Sequence, residues 1–179
     1  MGEGRKEKVI REFSAGGVVF RRKNGRVLWL VTKAAVLPKS FVPLHPPNTW
    51  RLPKGWLDDA GEGIPGPLAS GDKKAKEEDL QKTALKEVKE EGGVEARIVN
   101  KVGTIKFFFN STRGKVLKFV TFYLMEWVSD LPEGFHFETL EVASLPFDEA
   151  YKKLTYPTEK QVLKKAKEIL DRGLQQNLI

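Results

Sequence analysis

Two pairs of β-rich segments, each joined by a short turn, restrict the folds open to this chain more than any other feature. "REFSAGGVVFRR" and "RVLWLVTKA" flank Asn24-Gly25, a dipeptide typical of a tight hairpin turn, and predict strands at about 12–22 and 26–33. "EARIVNKVGTIKFFFN" and "KVLKFVTFYLMEWV" flank "STRG" and predict a second, longer hairpin. We therefore expect a sheet with many antiparallel pairs, and place the second hairpin at its centre.

A helix is predicted from about Lys74 to Glu91, between the two hairpins. Leu80, Ala84 and Val88 recur every four residues and form one apolar stripe, and Gly92-Gly93 follows as a C-cap. Because a helix lies between β-rich segments, we predict an α/β protein with a mixed, largely antiparallel central sheet.

The C-terminal part of the chain predicts two further helices. "LPFDEAYKKL" is typical of a short helix, and "TEKQVLKKAKEILDRGL" of a longer amphipathic helix with Thr158 as its N-cap. Its inward-facing residues are predicted to be Val162, Ala166, Ile169 and Leu170. We predict a single domain over residues 1–179, because this length suits one domain and no linker interrupts it.

Two segments lack any period and predict long loops. Residues 34–48 contain four prolines, and residues 58–73, "DDAGEGIPGPLASGDK", are rich in Gly, Pro and Asp and are expected to be mobile. Between them lies the short extended stretch "TWRLPKGW". Two long loops beside each other suggest a functional site.

Composition excludes several classes of protein. The chain has no cysteine and two histidines, so it has neither a disulfide framework nor a Cys/His zinc site. No apolar run approaches the roughly 18 residues of a membrane span, and the first residues do not resemble a secretory signal, so we expect a soluble cytoplasmic protein without membrane contact. The net charge of +7 suits a nucleotide, a polyphosphate or RNA, and equally a solvated lysine-rich surface.

Three carboxylates crowd the end of the predicted central helix, at Glu87, Glu90 and Glu91. The helix macrodipole disfavours anions there, and Glu87 and Glu91 also repel each other. At about 100° per residue all three fall within one sector of the helix. Mg²⁺ or Mn²⁺ held by carboxylate oxygens would relieve this repulsion, whereas the alternative is a solvated helix end.

The surrounding residues resemble the signature of the Nudix (MutT-like) hydrolase superfamily. That signature has a glycine, a glutamate, and then Arg-Glu-apolar-x-Glu-Glu-x-Gly-apolar. Gly55 matches its start, Glu78 its first glutamate, and its second half falls on Lys86, Glu87, Val88, Glu90, Glu91, Gly93 and Val94. "SAGGVVFRR", "WRLPKG" and "EVASLPFDEA" are similar to flanking segments of the family, so the resemblance covers roughly residues 11–170. It implies an α/β/α sandwich.

The sequence departs from the family pattern at two places. Glu78 follows Gly55 after 22 residues, where the family has five, so an insertion occupies this loop. Glu62 in "DDAGE" is the alternative match for the loop glutamate, although Glu78 keeps the spacing into the helix, with Asp79 as an N-cap candidate. Lys86 stands where the family has arginine, and because lysine cannot hold a carboxylate with two parallel bonds, we expect a less rigid loop and slower turnover.

The resemblance implies hydrolysis of a nucleoside diphosphate linked to another group. It assigns Glu87, Glu91 and Glu90 to divalent metal, and Lys86 to the catalytic set in place of the arginine. A glutamate acts as general base at a position that varies within the family. Our first candidate is Glu90, the second is Glu78, and Glu138 and Glu141 follow. Lys54 and the backbone at Gly55 are candidates for holding phosphate.

The substrate class is indicated less strongly. Several segments resemble the diadenosine polyphosphate hydrolase branch, in which an aromatic residue near the last helix stacks on adenine, and Tyr156, Tyr151 and Trp50 are candidates here. Each of these aromatics would serve equally as a core residue. An RNA 5′-pyrophosphohydrolase, a pyrophosphatase of oxidised (d)NTPs and a catalytically weak nucleotide-binding module are the alternatives.

Overall fold

The computed structural model describes residues 8–36, 45–61 and 63–177. Glu62, the alternative loop glutamate, and residues 37–44 of the proline-rich segment lie outside them. The elements are, in order, β1 (Ile10–Lys23), β2 (Arg26–Ala34), β3 (Trp50–Arg51), β4 (Lys54–Trp56), α1 (Pro67–Ser70), α2 (Glu77–Gly92), β5 (Val94–Ser111), β6 (Gly114–Asp130), β7 (Thr139–Leu145), α3 (Phe147–Lys153) and α4 (Pro157–Gln176).

The strands form a mixed sheet in the order β3-β2-β1-β6-β5, with β4 paired to β1 and β7 to β2. Strands β1 and β6 run parallel, from Ile10 opposite Val116 to Phe20 opposite Glu126, and the other described pairs are antiparallel. The predicted mixed, largely antiparallel sheet is therefore confirmed. We predicted that the second hairpin lies at the centre of the sheet, and this is only partly correct. Strand β5 lies at the edge of this order, and β1 occupies the middle.

Both hairpins form where the turn residues predicted them. Asn24 and Gly25 have φ angles of 50° and 73°, the left-handed values that a two-residue hairpin turn requires. Around them β1 and β2 pair in register, with Lys23 opposite Arg26. Strands β5 and β6 pair along their length, with Ser111 opposite Gly114 at the turn.

Each face of the sheet is covered by helices, which confirms the predicted sandwich. Alternate residues of β1 point to opposite faces, so Val18 and Phe20 pack on the side of α3 and α4, and Ala15 and Val19 on the side of α2. The predicted stripe of α2 is confirmed: Ala84 and Val88 are buried, and Leu80 packs beside them. In α4 the corresponding inward-facing residues are Val162, Ala166, Leu170 and the partly buried Ile169.

The helix starts differ from the predicted ones. Helix α2 begins at Glu77 with Lys76 as its N-cap, and Asp79 is inside the helix, where its carboxylate accepts the Lys76 backbone N–H at 2.8 Å. Helix α4 is capped by Tyr156, with Pro157 in its first turn, so the predicted Thr158 cap is wrong. Proline suits the first turn of a helix because its φ is already helical and no N–H is needed there.

The insertion after Gly55 is more ordered than its composition predicts. Asp58 accepts the backbone N–H groups of Leu68 at 3.1 Å and Ala69 at 2.8 Å, and thereby anchors the short helix α1. Gly66 packs against the same carboxylate, which a Cβ there would approach to 2.5 Å. Ala69 is fully buried, so the insertion packs onto the domain rather than extending from it.

Candidate active site

The three glutamates lie in the last turns of α2, where the helix is stopped by a left-handed residue. Gly93 has φ of 69° and its N–H donates to the Lys89 carbonyl at 3.0 Å, which ends the helix directly after the acidic cluster. Glu87 and Glu91 are buried, with 7% and 3% exposed, whereas Glu90 is half-buried. Two of the three carboxylates therefore face the protein rather than solvent.

Glu91 is held by the segment just before β4. The Nη2 of Arg51 lies 2.8 Å from its Oε1, and the backbone N–H of Lys54 donates to its Oε2 at 3.1 Å. Burial raises the pKa of Glu91, while the nearby guanidinium of Arg51 opposes that rise. Because both oxygens have partners, the position of this carboxylate is defined.

Arg51 is itself almost enclosed. Its Nη1 lies 2.6 Å from the Nε2 of His45, while its Nε is buried with no partner in the described part of the chain. Burial, followed by the charge of Arg51, lowers the pKa of His45 to about 3, so this imidazole stays neutral at ordinary pH and accepts from Arg51. The sequence analysis did not select Arg51; its one signal was a charged residue between the apolar Trp50 and Leu52.

Glu87 packs against the backbone of Gly55 in β4. A Cβ at position 55 would lie 2.2 Å from its Oε1, so a side chain there would displace the carboxylate. The nearest ammonium in the described structure is that of Lys86, at 3.9 Å. Burial, together with the adjacent charge of Glu91, raises the pKa of Glu87 to about 8. The environment of Glu87 thus favours either a proton or a bound cation.

Glu90 and Lys86 form the solvent side of the cluster. The Lys86 ammonium lies 3.4 Å from Glu90 and belongs to a side chain that is 59% exposed. The Glu90 carbonyl accepts the His136 backbone N–H at 2.7 Å, which ties the loop before β7 to the end of α2. Glu138 in that loop is near enough to raise the pKa of both Glu87 and Glu91.

These residues fit a hard divalent cation by their chemistry. Carboxylate oxygens are the ligands that Mg²⁺ and Mn²⁺ prefer, and Glu87 is a buried carboxylate whose nearest ammonium in the described residues, that of Lys86, is 3.9 Å away. In the residues that the structure describes, no three acidic or histidine side chains converge closely enough to form a complete site. Protein carboxylates would therefore supply part of the coordination, and water or phosphate the rest, as is usual for Mg²⁺.

Lys54 does not present a free ammonium to solvent. Its Nζ pairs with Oε1 of Glu159, a buried residue of α4 whose Oε2 accepts the Leu52 backbone N–H at 3.0 Å. The sequence analysis missed Glu159. It lies four residues before Leu163 on the apolar face of α4, and a glutamate in such a stripe was the available signal.

The other candidates lie in different surroundings. Trp50 is a core residue, 9% exposed, with the Lys153 ammonium 4.5 Å from its ring centroid, so its surroundings favour packing and its contact with substrate stays a prediction. Tyr156 is half-buried at the start of α4. Glu78 is exposed in the first turn of α2, about 12 Å along the helix from Lys86, and does not join the other glutamates.

Comparison with known proteins identifies the family. The NUDIX domain matches residues 11–166, so the chain belongs to the NUDIX family. The Mycobacterium tuberculosis protein named MutT4 is 27% identical over 165 residues, 92% of this chain. The chain spans about three-fifths of the length of that relative, 58%.

Solved structures share the fold. The Ap4A hydrolase of C. elegans in a binary complex is 20% identical with a TM-score of 0.60, covering 89% of this chain and 98% of that one. The E. coli dihydroneopterin triphosphate pyrophosphohydrolase is 14% identical, with a TM-score of 0.58 and coverage of 88% and 97%. The NUDIX domain of Shewanella oneidensis NrtR complexed with ADP ribose is 14% identical, with a TM-score of 0.55 and coverage of 95% and 94%. None of the helices in the described residues is long and apolar enough to cross a membrane.

Proposed function

We propose that this chain hydrolyses a phosphoanhydride bond in a nucleoside diphosphate linked to a second group, with a dinucleoside polyphosphate such as Ap4A as the preferred substrate. The observation that carries the proposal is the pair of buried carboxylates, Glu87 and Glu91, held at the end of α2 beside Gly55 in a chain of the NUDIX family. Burying two such groups is unfavourable unless a cation compensates them. The preference for Ap4A is supported by the sequence resemblance and by the net charge of +7.

Glu87, Glu91 and Glu90 would hold Mg²⁺ or Mn²⁺. The bound ion supplies charge neutralisation for the pyrophosphate and lowers the pKa of water at the site. Arg51 favours the anionic form of Glu91 and orients its carboxylate, since its guanidinium lies 2.8 Å away in a buried pair. Lys86 holds Glu90 at 3.4 Å and approaches Glu87 at 3.9 Å, which is a looser restraint than an arginine fork.

Glu90 is the proposed general base. It is half-buried and lies 3.4 Å from the Lys86 ammonium, so it can reach solvent and accept a proton from the attacking water. The water oxygen bonds to phosphorus as the phosphoanhydride P–O bond breaks, and the electron pair leaves on the departing phosphate. Glu138 is the second candidate, because its charge acts on both buried glutamates from the loop before β7. Glu78 is too distant in this conformation to take part.

Lys54, the backbone at Gly55 and Tyr156 are proposed to contact the substrate. The Lys54 ammonium would exchange its contact with Glu159 for a phosphate oxygen. Because Glu159 also accepts the Leu52 N–H, that carboxylate stays in place when Lys54 moves.

The function is tested by measuring turnover with Mg²⁺ on three substrates in parallel: Ap4A, 8-oxo-dGTP and an RNA oligomer with a 5′-triphosphate. We expect Ap4A to be hydrolysed with the highest kcat/KM and no turnover in EDTA. Faster hydrolysis of either other substrate would replace Ap4A with that class. Tight binding without hydrolysis of any of them would overturn the enzymatic assignment in favour of a binding module.

A further inference from the structure

Trp56 is an aromatic residue beside the candidate active site that neither the sequence nor the proposed mechanism assigns. It is the last residue of β4, directly after Gly55, and it lies opposite Ser14 of β1. Side chains alternate along a strand, so Trp56 shares a face with Lys54 and points away from Glu87, which packs on Gly55. Trp56 thus lies on the α4 side of the sheet, two residues from a proposed phosphate contact.

The orientation of this indole is held by a buried carboxylate. Its Nε1–H donates to the Oε2 of Glu12 at 3.1 Å, and Glu12 is 2% exposed in β1. Glu12 also accepts from Arg113, and the Lys118 ammonium lies 4.0 Å from it. One carboxylate therefore holds the edge of the indole and faces two cations.

The ring of Trp56 lacks the covering cation that several other aromatic rings of the described residues have. Lysines lie over the rings of Trp50 and Tyr151, and Arg21 lies over Trp127 at 4.2 Å. For Trp56, no aromatic or cationic side chain among the described residues stacks on the ring, although the side chain is partly exposed. An indole that is fixed at its edge, partly exposed and not stacked on another aromatic or cationic side chain of the described residues is suited to stacking on a planar ligand.

Two lysines, Lys54 and Lys118, lie on the same face of the sheet as Trp56. Glu12 lies opposite Lys118 in the parallel pair of β1 and β6. Burial, followed by the charge of Lys54, lowers the pKa of Lys118 to about 8, so an anion bound beside Lys118 would favour its charged form. A ligand with several phosphates would meet Lys54 and Lys118 while its aromatic part lies near Trp56.

We propose that Trp56 is the stacking platform for the nucleobase of the substrate, held in place by Glu12. This inference rests on the proposed function, since it assigns the base of the nucleotide whose phosphates the active site would hold. Stacking on an aromatic side chain contributes about 1–3 kcal/mol per base, which corresponds to about 5- to 150-fold in affinity. Stacking alone discriminates weakly between bases, so we expect Trp56 to bind any purine.

The test compares Trp56→Leu with Trp56→Phe. Both variants lose the hydrogen bond to Glu12, but Phe keeps an aromatic face and Leu does not. The ligands are a methylene-bridged, non-hydrolysable Ap4A analogue and inorganic tripolyphosphate, titrated by calorimetry in Mg²⁺. Trp127→Leu is the matched control, because Trp127 also donates its indole N–H to a carboxylate, that of Asp130 at 2.9 Å.

We expect Trp56→Leu to weaken binding of the analogue about tenfold and Trp56→Phe about threefold or less. Tripolyphosphate affinity should stay the same in both, and Trp127→Leu should change neither ligand. Equal losses for both ligands in Trp56→Leu would show a structural role and overturn the platform, as would an unchanged affinity for the analogue. Turnover of Ap4A is measured on the same wild-type sample. If Trp56→Leu weakens binding of the analogue but the wild type shows no turnover, only the proposed function fails. If the wild type hydrolyses Ap4A and Trp56→Leu binds the analogue with unchanged affinity, only the platform fails.

Discussion

Glu87 and Glu91 are neighbours in the helix but have different surroundings. Glu91 has a guanidinium and a backbone N–H as partners, whereas Glu87 packs against the Cα of Gly55 and has an ammonium no nearer than 3.9 Å in the described chain. The partners of Glu91 therefore favour its anionic form before metal arrives, whereas Glu87 is disfavoured as an anion until a cation binds.

The first prediction concerns Glu87 and pH in metal-free protein. Its pKa is raised from an ordinary value of 4.5 to about 8, so between these values the folded state binds one proton more than the unfolded state. The contribution of Glu87 to the free energy of unfolding is therefore highest below pH 4.5. It falls as pH rises towards 8, by up to about 1.4 kcal/mol per pH unit. Glu87→Gln should flatten this slope in urea denaturation from pH 5 to 8 with EDTA.

The control for this measurement is Glu95→Gln. Glu95 pairs with Lys89 at 3.0 Å and its side chain is 40% exposed, so its replacement should leave the slope of the wild type. Identical slopes for Glu87→Gln and the wild type would contradict the raised pKa.

The second prediction concerns the buried pair of Arg51 and Glu91. Glu91→Gln should abolish metal-dependent turnover, and full activity in this variant would remove Glu91 from the site. The same variant should also lose stability, because removing one partner of the buried pair leaves a buried charge at a cost of about 3–5 kcal/mol. Urea denaturation without metal should show a lower midpoint for Glu91→Gln.

The matched variant replaces both members of the pair. Arg51→Met combined with Glu91→Leu removes both charges and should recover much of the lost stability, but no activity. An unchanged urea midpoint in Glu91→Gln alone would refute the importance of the pair for folding.

Strand β4 and helix α2 position the site together, although neither is a complete binding element alone. Three residues of β4 pair with β1, and this places the Lys54 N–H against Glu91 and the Gly55 Cα against Glu87. The close approach is possible because position 55 lacks a side chain. The distance in space between β4 and α2 thus determines where the carboxylates of Glu87 and Glu91 lie.

Gly55→Ala tests this contact between elements. Its Cβ would lie 2.2 Å from the Glu87 carboxylate, which must rotate away, and a displacement of about 1 Å at a catalytic group can cost about 100-fold in rate. We expect kcat to fall on that order while the far-UV circular dichroism spectrum stays unchanged.

Gly173→Ala in α4 is the matching control, because no heavy atom lies within 4 Å of the added Cβ. It should keep full activity and increase stability by about 0.5–1 kcal/mol, since alanine is the better helix former. Near-normal turnover in Gly55→Ala would show that Glu87 does not need its present position.

For the molecule as a whole, the net charge of +7 predicts electrostatic attraction of a polyphosphate substrate. Raising NaCl from about 10 to 100 mM shortens the screening length from about 30 to about 10 Å. We expect kcat/KM for Ap4A to fall several-fold over this range, while kcat changes little. Thermal midpoints in the same buffers serve as the control for unfolding, and a salt-independent kcat/KM would exclude this attraction.

Local patterns in the chain were sufficient for helices α2, α3 and α4, for the two hairpins and for the acidic cluster, but not for the short helix α1. The Asn24-Gly25 turn, the stripe of Ala84 and Val88, and the carboxylates before Gly92-Gly93 each depend on a few neighbouring residues, because helical period and turn geometry are local properties. The partners of the site residues were not predictable in this way. Arg51 meets Glu91 across 40 positions and Leu52 meets Glu159 across 107, and contacts this distant depend on how the sheet and helices pack. The parallel pairing of β1 with β6, which brings Glu12 opposite Lys118, arises for the same reason: strand neighbours are selected by burial of whole faces, and residue patterns along one strand do not encode them.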